Sequence, residues 1–320
     1  MKYRAFGRLG WKVSEIGFGG WAIGGNWGPQ DEKDSIAALH RAIDLGCNFL
    51  DTAQGYGDGK SEQVIAKALR ERKGQQVYVA TKIPPKAPGK WPPSPYERAE
   101  DRYPESYLQE RLERSLRDLQ TDCIDILQLH SWTRAWNKNP TALEVLRKFQ
   151  KQGKIRGIGI STSNHDPNSI NDLMRQGWLD SVQVIYNIFE QEPQAELFPT
   201  AIEHKVGIIV RVPFDESALT GKLTNDTKFP QGDWRNHYFA GNRLVDTIQR
   251  VEKVKETIGS LEPNLATAAL KFVLKASAVS TVIPGMRNTK QAEANCGVSD
   301  LSPMSNDLEQ KLRAHQWIRG

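Results

Sequence analysis

Cysteine is scarce in this chain of 320 residues: Cys47, Cys123 and Cys296 are odd in number and far apart. That argues against a disulfide framework and against a local metal knuckle. No His-x-His or His-Glu-x-x-His spacing occurs, and the histidines at 40, 130, 165, 204, 237 and 315 are dispersed, so a metal-dependent hydrolase finds no ligand set. Nowhere do about 18 apolar residues run uninterrupted, and no apolar stretch follows the charges of the opening Met-Lys-Tyr-Arg-Ala-Phe-Gly-Arg. Neither a membrane span nor a secretory leader is expected, and the reading is a cytoplasmic protein. Blocks of one charge are absent too, because the 43 Lys and Arg are scattered among 38 Asp and Glu. Such mixing argues against nucleic acid as a partner and is compatible with a small anionic ligand.

What is present is ordinary for a folded chain, with 38% hydrophobic and 25% charged residues, enough for a large core. After a short polar, hairpin-like opening, apolar runs of strand length alternate with amphipathic stretches of helix length. The expected strands are Glu15–Gly19, Asn48–Asp51, Val77–Lys82, Ile124–His130, Gly157–Ser161, Ser181–Tyr186, Gly207–Val212 and Val279–Pro284. Helix patterns include Asp31–Leu45, with Ile36, Leu39, Ala42 and Ile43 on one face, and Tyr107–Leu119, with Leu108, Leu112, Ser115 and Leu119. Eight such units without a linker predict an α/β chain forming one (β/α)8 barrel domain over residues 1–320, with an N-terminal β-hairpin, rather than two Rossmann halves. Pro84–Pro104 after the third strand, Phe214–Gly241 after the seventh and the tail from Gly297 are long enough to reach over one end of the barrel.

Barrels carry their chemistry where the strands end. The second expected strand ends at Asp51 and leads into a Gly-flanked Tyr56; the third ends at Lys82 and the fourth at His130. An isolated tyrosine titrates near about 10, and a close ammonium stabilises its phenolate, so Lys82 is expected to bring Tyr56 down. Asp51 keeps that lysine charged and oriented, and His130 is placed to hydrogen-bond a substrate carbonyl. Each of these residues alone also fits a solvated cap or a packed loop; their convergence on one rim points to a catalytic site.

These residues lie in motifs that resemble the aldo-keto reductases along nearly the whole chain. The motifs are Gly-Phe-Gly-Gly-Trp at 17–21, Phe-Leu-Asp-Thr-Ala-Gln-Gly-Tyr-Gly at 49–57 with Ser61 and Glu62, Ala80-Thr81-Lys82, Asp125 through His130, Gly157 through Ser161, Gln183-Val-Ile-Tyr-Asn187 and Leu219-Thr-Gly-Lys222. The resemblance implies a (β/α)8 barrel that uses NADP(H), with the family's tetrad at Asp51, Tyr56, Lys82 and His130. It also implies a small carbonyl compound as substrate. The alternative within the family is an NADP(H)-binding, redox-sensing subunit with little turnover, similar to the channel-associated β subunits.

The run from Gly17 to Ala22 formally satisfies the G-x-G-x-x-A fingerprint, yet no helix begins inside it. It reads as a loop entering the mouth, where Trp21 and Trp27, together with Trp132, are candidates to contact substrate. Trp91, Trp234 and Tyr238 are further aromatics near the mouth by chain position, and together they suggest an apolar or aromatic carbonyl compound.

By resemblance, Ser161 and Gln183 hold the nicotinamide carboxamide, and Thr162 or Asn164 takes the place of the family's asparagine. Arg211 stands where many members carry an aromatic residue against the nicotinamide, a position from which its charge would repel the oxidised ring. Pro213, Phe214, Ser217, Leu219, Gly221 and Lys222 correspond to the lid over the pyrophosphate. Gly285, Met286, Arg287, Gln291 and Asn295 correspond to the adenosine end, with Arg287 on the 2′-phosphate, hence NADP over NAD.

Overall fold

The structure, a computed structural model, describes residues 1–25, 27–164 and 166–317; Asn26, His165 and residues 318–320 lie outside them. The chain opens with an antiparallel hairpin, β1 (Tyr3–Phe6) and β2 (Trp11–Ser14), in which Phe6 pairs with Trp11. Eight parallel strands follow: β3 (Phe18–Gly19), β4 (Phe49–Asp51), β5 (Tyr78–Ile83), β6 (Ile124–Leu129), β7 (Ile155–Ser161), β8 (Ser181–Ile185), β9 (Gly207–Arg211) and β10 (Val279–Val282), each beside its neighbours in chain order. Bridges between Ile16 and Val282 and between Gly19 and Gly285 join the first of these to the last and close the (β/α)8 barrel. At that seam a Cβ on Gly19 would lie 2.6 Å from the Ile283 carbonyl oxygen, so only glycine lets the two backbones meet.

Each expected strand is present, with shifted ends. The first keeps only two regular residues, because Glu15 and Gly17 bond instead to Val282 across the seam. β7 starts two residues early, since Ile155 pairs with Ile124. The expected Asp31–Leu45 helix spans Glu32–Asp44, with the Asp31 carboxylate capping the Lys33 N–H.

Side chains alternate along a strand, so positions two apart share a face. Phe6, Val13, Phe49, Ala80, Ile126, Ile209 and Ile283 form one buried apolar cluster, inside the barrel. Phe6 stacks on Phe49 at 5.4 Å and Trp11 on Tyr78 at 4.6 Å, so the hairpin plugs the amino-terminal end. Two residues beyond this layer, on the same faces, stand Asp51 after Phe49, Lys82 after Ala80, Gln128 after Ile126 and Arg211 after Ile209. A larger cluster, including Leu39, Ile65, Leu112, Leu146 and Leu270, packs the outer faces of the strands against the helices.

Of the three long segments, two reach the mouth: Trp91 lies edge-on to His130 at 4.9 Å, and Trp234 approaches Trp21 at 6.1 Å. The tail differs from its expectation. Ser299 bonds to Glu15 and Lys2 at the hairpin end, and helix Asn306–Arg313 packs on the barrel flank beside Arg243–Ile258. Among the described residues, no helix is long and apolar enough to cross a membrane, and no cluster of three metal-ligating side chains occurs.

Phe6 seals the apolar layer at zero exposure, so Phe6→Ala should cost about 3–5 kcal/mol of stability. Denaturant unfolding measures it; a loss below about 1 kcal/mol would show that the hairpin is not part of the core.

Candidate active site

The four rim residues come together, Asp51 and Lys82 buried and Tyr56 and His130 half-buried at the mouth. Lys82 Nζ donates to Asp51 Oδ2 at 2.7 Å, to the Thr52 carbonyl at 2.8 Å and to Tyr56 Oη at 3.1 Å. An ammonium has three N–H donors and no acceptor, so this set uses all of them. It also means that the tyrosine oxygen accepts, leaving its own O–H directed away from the lysine. The Tyr56 and His130 rings meet edge-on at 5.8 Å. Gln183 Nε2 donates to Asp51 Oδ1 at 2.7 Å, so each oxygen of the buried carboxylate has a donor.

The charges in this cluster are set mainly by burial. Burial lifts Asp51, opposed by Lys82, Gln183 and Arg211. Burial pulls Lys82 down, but Asp51 and Tyr56 outweigh it and carry the ammonium above its usual range. His130 is held well below its ordinary value by burial and by the charges of Lys82 and Arg211, so its imidazole is neutral. The Tyr56 phenol moves up, not down: burial disfavours the phenolate more than Lys82 favours it. The expectation drawn from the lysine alone is therefore reversed for the resting site. Tyr56 keeps its proton through the neutral range, and the ammonium acts on the phenolate left after the proton has gone.

Backbone contacts fix the loop that carries Tyr56. A Cβ on Gly24 would stand 2.6 Å from the Tyr56 carbonyl carbon, and Gly57 has a φ of +67°, a conformation that favours glycine. The glycine-rich stretch after β3 thus serves close packing against the tyrosine loop. Behind it, Thr52 Oγ1 donates to Ser61 Oγ and Ser61 to the Gly20 carbonyl. Glu62 Oε1 accepts from Thr81 at 2.6 Å and Ser115 at 2.7 Å, while Gln54 Nε2 donates to Ser115. Ser61 and Glu62 stood in the motif without a role. Gln54 likewise stood in the 49–57 motif without a role, and Ser115 carried no signal beyond its place on a helix face.

Residues from the later strands line the same rim. Ser161 and Gln183 are register partners on β7 and β8, and Gln183 Oε1 is buried without a partner among the described residues. Arg211 donates to the Thr162 carbonyl at 3.1 Å and to Asn164 Oδ1 at 2.7 Å. No carboxylate among the described residues lies within ion-pair distance of it. Burial pushes the nearby Glu216 up to about 8, reinforced by Asp215. Beyond Pro213 and Phe214, the backbone holds left-handed angles at Asp215, Glu216 and Ser217. Leu219 is buried, Gly221 half-buried and Lys222 exposed.

Arg235, which sequence reasoning missed, ties this loop to the one after β3. Its guanidinium is bidentate on Asp233, bonds Ser217 Oγ at 3.2 Å and lies over Trp27 at 4.4 Å and Phe229 at 4.5 Å. Beyond β10, Arg287 Nε donates to Gln30 Oε1 at 2.6 Å and its terminal nitrogen to the Pro29 carbonyl, both uncharged partners. Gln291 accepts from the Arg287 N–H, and Asn295 donates to the carbonyl of the exposed Gly285. Met286 is fully buried. An orphaned acceptor at Gln183 and, at Arg211 and Arg287, cations that bond no carboxylate directly among the described residues fit a ligand with an amide at one end and phosphate at the other.

Aromatic rings frame the opening. Trp21 lies 5.6 Å from Trp27 and 6.3 Å from Tyr56. Trp132 does not join them. It is 1% exposed, its indole N–H is bound to Asn137, and it packs edge-on against Trp136 at 5.2 Å, which leaves no face for substrate.

Comparison with known proteins gives a consistent picture. The model of the Aldo/keto reductase family matches residues 15–316. Aldo-keto reductase YhdN of Bacillus subtilis (strain 168) is 31% identical over 314 residues, covering 96% of this chain and 91% of that protein. The NADH-specific methylglyoxal reductase of Escherichia coli (strain K12) is 29% identical, covering 94% of each chain. Among solved structures, the holo form of aldo-keto reductase AKR11C1 from Bacillus halodurans superposes with a TM-score of 0.78 at 28% identity, covering 99% of this chain and 96% of that one.

Proposed function

Since this chain belongs to the aldo/keto reductase family, we propose that it reduces an aldehyde or ketone to the alcohol with NADPH, Tyr56 supplying the proton. The observation that carries this reading is the 3.1 Å contact between Lys82 and Tyr56, backed by Asp51.

When bound, the reduced nicotinamide supplies the hydride. The chain's own groups do the rest. Neutral His130 hydrogen-bonds the carbonyl oxygen and orients it toward Tyr56. As negative charge develops on that oxygen, the outward O–H of Tyr56 passes its proton across. Lys82 then stabilises the phenolate in a site too dry for water to do so. Asp51 holds Lys82 charged and in place. Trp21 and Trp27 exclude water and favour an apolar or aromatic substrate. Ser161 and Gln183 hold the carboxamide end of the cofactor, the 214–222 loop covers its pyrophosphate and Arg287 takes its 2′-phosphate.

Tyr56→Phe should abolish carbonyl reduction while leaving NADPH affinity nearly unchanged, as followed by nicotinamide absorbance and by fluorescence titration. Retained turnover would remove Tyr56 as the acid. The E. coli relative is NADH-specific, which makes the phosphate contact a separate question. Arg287→Ala should raise the Michaelis constant for NADPH about tenfold or more, the loss of a charge-assisted pair, and leave that for NADH unchanged; equal effects on both would dismiss the assignment. The charge of Arg211, which bonds no carboxylate directly among the described residues, disfavours an oxidised, positive ring, so the protein should bind NADPH about tenfold more tightly than NADP⁺. Equal affinities in a titration would contradict that role.

A further inference from the structure

We propose that a hollow on the outer side of the tyrosine loop binds a small zwitterion, a free α-amino acid, and that its occupancy reaches the proton donor through the two chain segments that form its walls. The binding stands apart from the function proposed above; the effect on turnover rests on it.

The hollow, of about 530 Å³, lies between the Tyr56 loop, the segment that follows β5 and the helix Glu105–Leu119. That is ample for a molecule of this size. Asp51, Tyr56, Lys82, His130 and the tryptophans of the opening take no part in its lining. Its walls are pinned to one another. Tyr107 Oη donates to the Pro84 carbonyl at 3.0 Å, and the Gln54 amide nitrogen donates to the Arg111 carbonyl and, at 2.9 Å, to Ser115 Oγ.

A backbone carbonyl only accepts, so the Gln54 nitrogen is fixed on the helix side. Its amide oxygen is turned away, buried and without a donor among the described residues. On the helix, Tyr107, Glu110 and Arg111 share one face, being three and four residues apart. The half-buried Arg111 guanidinium lies over the Tyr107 ring at 5.1 Å and bonds no carboxylate directly among the described residues; neither does the exposed Lys86. Asp58 is matched by Arg114 at 2.9 Å, whereas the exposed Glu110 bonds no cation directly among the described residues. The lining therefore offers two cations to a carboxylate, and a carboxylate with an amide oxygen to an ammonium. An α-amino acid carries both ends on one carbon, and Pro84, Pro85 and Ala87 leave an apolar strip for its side chain. A dianion would be repelled by Glu110, and a plain amine by Lys86 and Arg111.

Both walls run straight into the catalytic pair. Gln54 stands two residues before Tyr56, and its N–H donates to the Lys82 carbonyl at 3.2 Å; Pro84 stands two residues after Lys82. An occupant that bonds Gln54 and packs on Pro84 thus acts on both partners of the 3.1 Å contact between Lys82 and Tyr56.

Calorimetric titration of the cofactor-free protein with L-leucine should show one site. Leucinamide and 4-methylpentanoate, each lacking one of the two charges, should bind about tenfold more weakly. Arg111→Met should weaken leucine about tenfold, and Lys86→Met, whose charge is exposed, about threefold. No binding at millimolar leucine, or leucine binding left intact by both substitutions, would overturn the site. Equal affinities for leucine and 4-methylpentanoate would overturn the zwitterion. Should circular dichroism show that Arg111→Met is unfolded, two exposed positions decide: Lys86→Met must weaken leucine and 4-methylpentanoate alike, and Glu110→Gln leucine alone. Saturating leucine should change kcat for aldehyde reduction about fivefold, a response lost in Arg111→Met; leucine binding with an unmoved kcat would overturn the link to the proton donor. If the wild-type protein binds leucine yet reduces no aldehyde or ketone, the proposed activity fails while the titrations still judge the site.

Discussion

The site depends on a lysine kept charged where no water reaches it. Moving an ammonium out of water is costly unless every donor finds an acceptor and an opposite charge stands close. Lys82 meets both conditions, with Asp51, the Thr52 carbonyl and Tyr56 around a side chain of zero exposure. The arrangement is possible because adjacent parallel strands supply its parts: Asp51 pairs with Ala80 in register, and Lys82 is the next inward position on β5. A side chain that consumes all its donors in this way has no freedom left, and its direction determines where the phenol can sit.

The remainder of the fold serves that geometry. Hairpin aromatics close one end of the barrel, so the polar layer opens only at the other. Glycines at the seam and under the tyrosine loop let backbone lie against backbone, which fixes Tyr56 through the main chain rather than through a rotatable side chain. Neutral His130 and protonated Tyr56 then present donors to the same small space, both kept in that state by the burial that made the lysine expensive.

Much of this was legible in the chain itself. Strands buried on both faces read as short apolar runs between helical patterns, and polar residues two positions past an inward apolar one, such as Lys82 past Ala80, announce the rim. What stayed hidden depends on three-dimensional sums. The sign of the Tyr56 shift is a balance of burial against one charge, and only coordinates supply the burial. Trp132 sits two residues past His130, yet the chain turns there and packs the indole against Trp136. That Arg211 bonds both the Thr162 carbonyl and the Asn164 side chain was likewise invisible, because it depends on where β9 stands beside the loop after β7. Arg235 had no motif at all, because its meaning lies in two loops far apart in the chain.

The two cross-barrel segments that bear Trp91 and Trp234 hang from strand ends and supply none of the atoms that hold the ammonium. The buried ion cluster and the aromatic rim are consequently built from separate stock. The rings around the opening can be exchanged, lengthened or tilted without touching a single bond of the charged group beneath them.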